Sequence, residues 1–449
     1  MAEVFFPSRS AIASAQLRQL RELLERVLKS NPFYQRKFAA AEVTDRIATP
    51  EEFSRLVPFT TKQEIVQDQK RTPPYGTNLT FPLASYTRCH QTSGTSGTPL
   101  RWLDTPENWR WMLQNWMEVY RAAGVTPADR ILFAFSFGPF IGFWLAFEAA
   151  TELACLCFPG GGLSSGARLR LIRDHEVTVV CCTPTYAIRL AEVAAAEKID
   201  LPKSRVKTLI VAGEPGGSIP ATRSRIEHLW GGARVFDHHG MTEVGPVTYE
   251  CPSRPGVLHV LESAYLAEII DPAIGNPVPP GMQGELVLTT LGRLGSPLIR
   301  YRTGDLVKFG GSRITDYESR VTDHASRITH HESRCLCGRS ELALEGGILG
   351  RTDDMITVRG VNVFPSAVEE IIRSFGEVAE YEVELSSQGA LTELNVRVEP
   401  AAEAGAASDL AGRIERAFLN ALALRVPVAL AQPGALPRFE LKAKRWVKK

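Results

Sequence analysis

The chain has 449 residues, a formal net charge of +1, 44% hydrophobic residues and 22% charged residues. This length predicts two or three domains, and the composition is that of a soluble globular protein. The near-neutral charge excludes a global field that would draw the chain to nucleic acid or to a membrane, and no apolar run is long enough to span a bilayer.

The first eight residues contain neither a basic segment nor an apolar one. We therefore expect no secretory signal and a cytoplasmic location. The chain has eight cysteines. In that compartment cysteines are thiols or metal ligands more often than disulfides.

Two helices are predicted in the N-terminal part of the chain. Residues 16–30 carry leucine and valine at helical spacing and are followed by Pro32. Residues 105–123 are rich in Trp and Met, which we interpret as packing rather than as a ligand site. Between these helices, residues 83–87 and 100–103 are predicted as strands.

The stretch between the two predicted strands is rich in glycine and hydroxyl side chains. Glycine lets the backbone approach a ligand, and successive N–H and hydroxyl groups form a concave surface that suits phosphate. No Gly-Lys-Ser/Thr follows at Walker A spacing, and a plain surface loop stays an alternative. The candidate phosphate-binding residues are Ser93, Gly94, Thr95, Ser96, Gly97 and Thr98.

From Arg130 onward, short β-rich runs alternate with helical stretches. This alternation predicts a largely parallel sheet with helices on its faces, whose ligands bind at the carboxyl ends of the strands. The predicted strands are 131–135, 177–182, 209–212 and 235–237, and the predicted helices are 142–152, 166–175, 187–198 and 221–230. The loops expected to carry the site are 136–139, 213–217 and 238–243.

A β-rich subdomain with strands at 265–270, 285–290 and 306–309 is predicted next. A polar repeat then occupies 312–334, which we expect to be a mobile low-complexity insertion without catalytic importance. Residues 351–449 are predicted as a compact α+β domain, joined by a hinge at 351–354 to an N-terminal domain of residues 1–350. Its predicted strands are 355–358, 378–385 and 393–398, and its predicted helices are 365–375 and 409–424.

Five motifs occur in a fixed order along the chain. They are Thr92-Ser93-Gly94-Thr95-Ser96-Gly97-Thr98-Pro99, Gly213-Glu214-Pro215, His239-Gly240-Met241-Thr242-Glu243, Tyr301-Arg302-Thr303-Gly304-Asp305-Leu306, and Gly350-Arg351-Thr352-Asp353-Asp354 with the following Arg359-Gly360-Val361-Asn362-Val363-Phe364-Pro365. Together they resemble the acyl-adenylate-forming (AMP-binding) enzyme superfamily, and within it the phenylacetate–CoA ligase-like branch. The resemblance implies an α/β fold. A large multi-subdomain N-terminal adenylate-forming domain would combine mixed parallel sheets and helices with a β-rich subdomain, and a small mobile α+β C-terminal domain would follow.

The resemblance implies an ATP-dependent acid–CoA ligase with two half-reactions. A carboxylate would attack the α-phosphorus of MgATP to give acyl-AMP and pyrophosphate, and the thiol of coenzyme A would then displace AMP. Neither step needs a protein nucleophile, so catalysis must come from positioning and charge stabilisation. Two alternatives stay open: an adenylating enzyme that passes the acyl group to an amine or a carrier-protein thiol, and a non-catalytic nucleotide-binding protein.

The resemblance also implies roles for single residues around the nucleotide. The loop hydroxyls would hold the β- and γ-phosphates, although the lysine that the family often has at position 98 or 99 is absent. Thr242 would contact the α-phosphate and Glu243 would hold Mg²⁺, with a solvated loop carboxylate as the alternative for Glu243. Asp305 would accept hydrogen bonds from the ribose hydroxyls, and Arg351 would lie near the same ribose. Arg302 could form an ion pair with Asp305.

The remaining nucleotide contacts would come from two loops. The backbone of Gly213, Glu214 and Pro215 would meet the adenine edge. His239 would lie beside the base, within the motif that continues through Gly240 and Met241. His238 would reach the carboxylate of the acid substrate. A satisfied core histidine stays an alternative for both histidines.

The resemblance places the catalytic lysine near the C-terminus, at Lys442. Its ammonium would bridge the acyl carboxylate and the α-phosphate. Lys444 remains a competitor because Leu441 replaces the glycine that the family usually has, and a solvated basic tail is the alternative from composition. The small domain must change orientation between the half-reactions. Asp353 would be its hinge, and Gly360, with Val361 and Asn362, would face the pantetheine arm of CoA.

An aromatic stretch follows the first strand of the predicted parallel sheet. Phe135, Phe137, Gly138 and Phe140 form a glycine-punctuated wall that suits an aromatic or arylacetic acid. Core packing is the alternative for the same residues, because pockets and cores share composition.

Four further side chains could hold a structural zinc ion. Cys251, His259, Cys335 and Cys337 supply the thiolates and imidazole of a tetrahedral site, although their spacing is irregular. The other cysteines in apolar runs, Cys155, Cys157, Cys181 and Cys182, are predicted as buried thiols. The expected partners are a small carboxylic acid, ATP and CoA. We expect no nucleic acid and no membrane, and a homodimer is left open.

Overall fold

The computed structural model describes residues 6–92, 99–310, 334–359, 361–388, 391–401, 409–440 and 442–448. The chain forms two units, and each unit draws on three stretches of sequence. The first contains Met1–Gly124, Phe137–Ala149 and His239–Gly347, and the second contains Val125–Ser136, Ala150–His238 and Ile348–Lys449. Outside the described residues lie Gly360, residues 312–333 of the predicted insertion, and the predicted phosphate loop of Ser93, Gly94, Thr95, Ser96, Gly97 and Thr98.

Helices and strands follow one another along the whole described chain. The helices are α1 (Arg9–Ser30), α2 (Pro32–Ala40), α3 (Pro50–Leu56), α4 (Lys62–Arg71), α5 (Pro106–Ala122), α6 (Ile141–Glu152), α7 (Ser165–Asp174), α8 (Pro184–Ala196), α9 (Pro220–Leu229), α10 (Pro365–Arg373) and α11 (Leu410–Leu422). The strands are β1 (Arg88–Gln91), β2 (Arg101–Asp104), β3 (Arg130–Phe133), β4 (Leu156–Pro159), β5 (Val179–Cys182), β6 (Thr208–Val211), β7 (Arg234–Asp237), β8 (Gly240–Met241), β9 (Gly245–Pro246), β10 (Thr248–Glu250), β11 (Val257–Val260), β12 (Tyr265–Ile270), β13 (Gln283–Thr290), β14 (Tyr301–Gly310), β15 (Ala343–Arg351), β16 (Ile356–Val358), β17 (Val361–Val363), β18 (Val378–Gln388), β19 (Leu391–Pro400), β20 (Val428–Leu430) and β21 (Trp446–Lys448).

Side-chain caps fix where several helices of the first unit begin. Ser8 caps α1, Thr61 forms a reciprocal capping box at α4, and Thr105 caps α5. Helix α1 was predicted to begin at residue 16. It begins at Arg9 because Ser8 caps it there. In α5 the large side chains point into the core, which confirms that this helix is built for packing; its buried residues include Trp109, Met112, Trp116 and Tyr120.

The first unit contains a six-stranded sheet with the order β10-β11-β15-β14-β13-β12. The pairs β10–β11, β11–β15, β12–β13 and β13–β14 are antiparallel, which confirms the predicted β-rich subdomain. The strand predicted at residues 83–87 is wrong. Leu83–Ser85 form a 3₁₀ turn, because the Tyr86 N–H bonds back to the Leu83 carbonyl at 3.1 Å, and strand pairing starts only at Arg88.

The second unit contains a five-stranded parallel sheet with the order β4-β3-β5-β6-β7. This sheet and helices α7 to α9 confirm the predicted alternation. Strands β5 and β6 are buried along their whole length, as expected for parallel strands that are covered on both faces. Strand β4 was not predicted. It lies at the sheet edge, and its Leu156 is 57% exposed, so it lacks the apolar pattern of an inner strand.

The C-terminal part of the second unit has its own sheet and core. Its sheet has the order β20-β19-β18-β21, in which β18 and β19 are antiparallel and the two outer strands join them in parallel. Ile372 of α10 and Ile414 and Phe418 of α11 are fully buried in its core.

These elements confirm the predicted α/β fold class with its parallel sheet, its β-rich region and its C-terminal α+β region. The predicted domain boundary between residues 350 and 351 stays a prediction. No helix in the described part of the chain combines the length and the apolarity needed to cross a membrane.

Candidate active site

The two ends of the predicted phosphate loop are held together in a hairpin. Strands β1 and β2 pair with Gln91 opposite Arg101. The Thr92 N–H donates to the Leu100 carbonyl, and the Leu100 N–H donates to Thr92 Oγ1, each at 3.0 Å. The hairpin therefore brings Thr92 and Leu100 together, and residues 93–98 between them lie outside the described residues.

His239 and Asp305, predicted beside the base and the ribose, lie next to each other in the first unit. His239 Nε2 is 3.1 Å from Asp305 Oδ2, and Asp305 is only 3% exposed. The His239 N–H donates to Thr248 Oγ1 at 2.8 Å, which fixes the backbone that carries the imidazole. Arg302 pairs with Glu285 instead of Asp305, so the Arg302–Asp305 ion pair left open above is wrong.

The loop that carries Thr242 and Glu243 is held by a buried ion pair. Arg293 Nη1 donates to the carbonyls of Thr242 and Glu243 at 3.0 and 2.8 Å. Arg293 also makes two 2.7 Å hydrogen bonds with the Asp104 carboxylate, and neither of these two side chains has exposed surface. Sequence reasoning missed both residues because they are 189 positions apart in the chain.

Glu243 itself is 7% exposed, and its Oε1 lies 3.7 Å from Lys62 Nζ. A solvated loop carboxylate therefore does not describe this residue. A buried carboxylate has oxygen lone pairs that suit a hard metal ion.

In the second unit, the loop at residues 213–217 follows β6, and Asp237 ends the neighbouring strand β7. Ser218 Oγ donates to Asp237 Oδ2 at 2.5 Å, and Arg223 Nε donates to the Gly217 carbonyl at 2.9 Å. A Cβ at Gly217 would lie 2.5 Å from the Asp237 carboxyl carbon, so only glycine fits there. His238 comes directly after β7 and is 5% exposed.

Glu214 joins this loop to the C-terminal part of the same unit. Its Oε1 accepts the Thr185 N–H at 2.9 Å and its Oε2 accepts the Ala443 N–H at 2.8 Å. Burial raises the pKa of the Glu214 carboxyl above its ordinary value, and these hydrogen bonds oppose that rise. A Cβ at Gly213 would lie 3.5 Å from Cε of Lys442. The structure thus brings the predicted lysine to the predicted adenine loop.

Arg351 and Asp353, predicted near the ribose and at the hinge, contact each other. Arg351 Nε lies 2.9 Å from Asp353 Oδ1, and 37% of the Arg351 side chain is exposed. Pro215 is exposed at the tip of the 213–217 loop, and Gly240 and Met241 form the short strand β8 in the first unit.

The aromatic stretch divides between the two units. Phe137 packs edge to face against Trp144 and Phe147 of α6, with ring centroids 5.0 and 5.6 Å apart. Trp144 Nε1 donates to the Gly138 carbonyl at 2.9 Å, and Trp144 is 38% exposed. Sequence reasoning missed Trp144, although the helical spacing of aromatics on α6 carried the signal.

The other two members of the predicted wall are placed differently. Phe140 packs against Phe143, with centroids 6.1 Å apart. Phe135 belongs to the second unit, is 5% exposed and packs against Phe133. Core packing, the alternative stated above, therefore describes Phe135.

Cys251, His259, Cys335 and Cys337 come together in the first unit, and their ligand atoms all lie within 4.8 Å of one another. Cys251 Sγ is 3.7 Å from Cys335 Sγ, and Cys337 Sγ is 3.4 Å from His259 Nε2. Hydrogen bonds from Cys251 and His259 lower the pKa of Cys337 below its ordinary value, which favours its thiolate. Three thiols and one imidazole are ligand types that tetrahedral zinc sites use, so these four residues could hold a metal ion.

Comparison with known protein families gives two matches. The family described as AMP-binding enzyme matches residues 90–292, and the family described as AMP-binding enzyme C-terminal domain matches residues 360–449. The chain is 29% identical to phenylacetate-coenzyme A ligase of Thermus thermophilus, covering 96% of this chain and 95% of the relative. It is also 29% identical to phenylacetate-coenzyme A ligase of Escherichia coli, covering 97% and 94%.

Solved structures of 2-hydroxyisobutyryl-CoA ligase are similar over the whole chain. The postadenylation state in complex with 2-HIB-AMP has a TM-score of 0.88 at 26% identity, covering 100% of this chain and 95% of that one. The thioesterification state in complex with 2-HIB-AMP and CoA has a TM-score of 0.70 at 27% identity, covering 100% and 94%.

Proposed function

We propose, from the premise that this chain belongs to the AMP-binding enzyme family, that it is an ATP-dependent ligase that joins an aromatic or arylacetic acid to coenzyme A. Its relatives over nearly the whole chain are phenylacetate-coenzyme A ligases, and the neighbouring structures hold acyl-AMP and CoA. One observation in the chain itself carries the proposal. Lys442 lies against Gly213 in a loop at the carboxyl end of a parallel strand, where ligands of such sheets bind.

The proposed reaction has two balanced steps. An oxygen of the acid carboxylate bonds to the α-phosphorus of ATP while the bond to the β-phosphate bridging oxygen breaks, which gives acyl-AMP and pyrophosphate. The sulfur of CoA then bonds to the acyl carbon, the thiol proton leaves, and AMP departs with the electrons of the acyl–oxygen bond. Negative charge concentrates at the α-phosphate in the first step, so a cation held there lowers the barrier.

The proposed residue roles are set by the negative charge of the acid carboxylate and the α-phosphate and by the hydroxyls of the ribose. The Lys442 ammonium would neutralise the incoming carboxylate and the α-phosphate, and its loop is held by Glu214. In the first unit, Asp305 would accept the ribose hydroxyls and Thr242 would contact the α-phosphate. The Arg293–Asp104 pair fixes the Thr242 backbone, so that contact would need no rearrangement.

The acid class is supported by the aromatic cluster of the first unit. Phe137 packs edge to face against Trp144 and against Phe147, and the partly exposed Trp144 offers an apolar surface to an aryl ring. His238 is retained in the proposal as a contact of the acid carboxylate, on the strength of its place directly after β7.

Glu243 is proposed to hold a magnesium ion, because its carboxylate is buried and carboxylate oxygens are ligands that Mg²⁺ prefers. When bound there, Mg²⁺ would offset charge on the phosphate oxygens. The protein's own contribution is to hold the Glu243 backbone in place through Arg293.

We also propose that the Cys251, His259, Cys335 and Cys337 cluster holds a structural zinc ion. His259 Nδ1 lies 3.4 Å from the Glu341 carbonyl, and a hydrogen bond there would orient Nε2 toward the thiols. Metal analysis of the purified protein should find about one zinc per chain. Cys337→Ser should lose it, whereas Cys157→Ser, a change outside the cluster, should keep it. A wild-type content near zero would refute the site.

The function is tested by measuring AMP and pyrophosphate release with a panel of acids. Phenylacetate, benzoate and 2-hydroxyisobutyrate, each with ATP and CoA, separate an aryl-acid enzyme from one that takes short hydroxy acids. We expect AMP release that depends on both phenylacetate and CoA. Pyrophosphate release without a CoA thioester would support the amine or carrier-thiol alternative, and the absence of any release would support the non-catalytic one. The cytoplasmic location and the homodimer stay predictions.

A further inference from the structure

A single carboxylate in the second unit contacts two parts of the chain that are far apart in sequence. Glu214 accepts the N–H of Thr185 through one oxygen and the N–H of Ala443 through the other, at 2.9 and 2.8 Å. Thr185 is the second residue of α8, and Ala443 directly follows Lys442. The carboxylate therefore links the start of a fixed helix to the backbone of the lysine-bearing loop.

The first of these two hydrogen bonds has its donor at the start of a helix. The Thr185 N–H is one of the donors at the N-terminus of α8 that have no acceptor within the helix, and the helix dipole also favours a negative charge there. Thr183 caps the same helix through the Tyr186 N–H, so Glu214 serves a separate donor. The hydrogen bond from Thr185 thus joins Glu214 to a nearby helix, whereas the hydrogen bond from Ala443 joins it to the end of the chain.

The hydrogen bond to Ala443 acts directly on the position of the lysine. Fixing the amide that follows Lys442 restricts the backbone from which the lysine side chain extends. That side chain runs over Gly213, the neighbour of Glu214, where a Cβ would lie 3.5 Å from its Cε. One dipeptide, Gly213-Glu214, thus provides both the surface for the lysine side chain and the acceptor for its backbone.

Three further contacts join residues 165–192 to residues 438–445, and all three are longer. Arg438 Nε is 3.4 Å from Glu192 Oε2, Arg445 Nη1 is 3.5 Å from Thr185 Oγ1, and Ser165 Oγ is 3.4 Å from Glu440 Oε1. These contacts join the end of the chain to α7 and α8. The hydrogen bond of Glu214 is shorter and lies closest in sequence to the lysine.

We propose that Glu214 is a positioning residue that fastens the Lys442 loop for acyl-AMP formation and has no part in transfer to the thiol. The inference rests on the function proposed above and deepens it.

The test compares Glu214→Ala and Glu214→Gln in the two half-reactions. Acyl-AMP formation is followed as pyrophosphate release from ATP and phenylacetate, and thiol transfer as thioester formation from supplied phenylacetyl-AMP and CoA. Misplacing the lysine should slow the first half-reaction of Glu214→Ala by ~10- to 100-fold, with the second within about twofold of wild type. Glu214→Gln should fall between, because an amide has one oxygen for two N–H donors.

Glu25→Gln is the matched control, because it removes the same charge from an exposed position on α1 and should leave both half-reactions unchanged. Hydrogen exchange gives a readout that does not depend on activity. The peptide that contains the Ala443 amide should exchange faster in Glu214→Ala than in wild type or Glu25→Gln.

The outcomes separate the two levels of the proposal. Equal losses in both half-reactions, or unchanged pyrophosphate release and unchanged exchange, would overturn the role of Glu214. If wild type itself releases no pyrophosphate with any acid while Glu214→Ala still speeds exchange, the proposed function fails and the fastening of the loop stands.

Discussion

At the residue scale, the choice between Lys442 and Lys444 depends on which side chain reaches the 213–217 loop. Lys442 Cε approaches the Gly213 position, and Lys444 is exposed one residue beyond the Ala443 amide that Glu214 holds. Lys442 and Lys444 are two positions apart, and side chains two positions apart in an extended segment point to the same side. Alternation alone therefore does not separate 442 from 444, and the contact with Gly213 favours Lys442.

Lys442→Ala is predicted to slow acyl-AMP formation by ~100-fold or more, because a preorganised cation at the developing charge is lost. Thioester formation from supplied acyl-AMP should stay within about threefold of wild type. Lys444→Ala is the matched control and should retain both half-reactions. The assignment is wrong if the two variants exchange these phenotypes in rapid-quench measurements.

His90 gives a prediction on pH. It is 6% exposed, stacks on Trp109 with ring centroids 5.2 Å apart, and burial lowers its pKa to about 4. The unfolded chain protonates this group near pH 6.5. The free energy of unfolding is therefore at its full value above about pH 6.5 and decreases as the pH falls toward 4.

The measurement is urea unfolding at pH 7.5 and pH 5.0. Wild type should lose about 2 kcal/mol more between these values than His90→Phe, which keeps an aromatic ring on Trp109 but cannot be protonated. Equal losses in the two proteins would mean that His90 is not the group that senses pH.

At the element scale, the buried Arg293–Asp104 pair determines how the β8–β9 region is held. Arg293 reaches across from the segment after β13 to the end of β2 and to the carbonyls of Thr242 and Glu243. A buried pair costs desolvation, and breaking one partner leaves a charge without compensation. This pair is thus tied to the loop that carries two predicted ligand residues.

Asp104→Asn is predicted to lower the free energy of unfolding by about 3–5 kcal/mol, measured by urea denaturation. The double variant Asp104→Leu/Arg293→Met should recover part of that stability, because no buried charge remains. Its pyrophosphate release should nevertheless stay low, since the carbonyls of Thr242 and Glu243 have lost their donor. Full recovery of activity in the double variant would show that the pair serves stability alone.

At the scale of the whole molecule, the family relationship predicts strong linkage between folding and the adenylate. A ligand that binds only the folded protein raises the free energy of unfolding by an amount set by its concentration relative to its Kd. A non-reactive acyl-AMP analogue of phenylacetate at 100 times its Kd should add about 2.7 kcal/mol.

Differential scanning calorimetry measures this effect. Asp305→Asn is the informative comparison, because it keeps the fold contacts of β14 but weakens the predicted ribose acceptor, so the analogue should bind more weakly. Equal stabilisation of both proteins at matched analogue concentration would remove Asp305 from the nucleotide site.

The sequence alone determined the order of elements, because periodicity and turn residues act over a few neighbouring positions. It predicted strands β3, β5, β6 and β7, the helices between them, and the loop at residues 213–217 on which the site proposal rests. It failed where local signal is weak or misleading, at the exposed edge strand β4 and at the 3₁₀ turn Leu83–Ser85.

Only the tertiary structure decided which distant side chains meet. The pairing of Glu214 with Ala443 spans 229 positions and that of Arg293 with Asp104 spans 189. Cys251 and His259 likewise meet Cys335 and Cys337 only through the folded chain, since β11 lies between β10 and β15 in the sheet. Hydrogen bonds and ion pairs act over a few ångströms in space and carry no periodic trace in the sequence, so packing alone could reveal them.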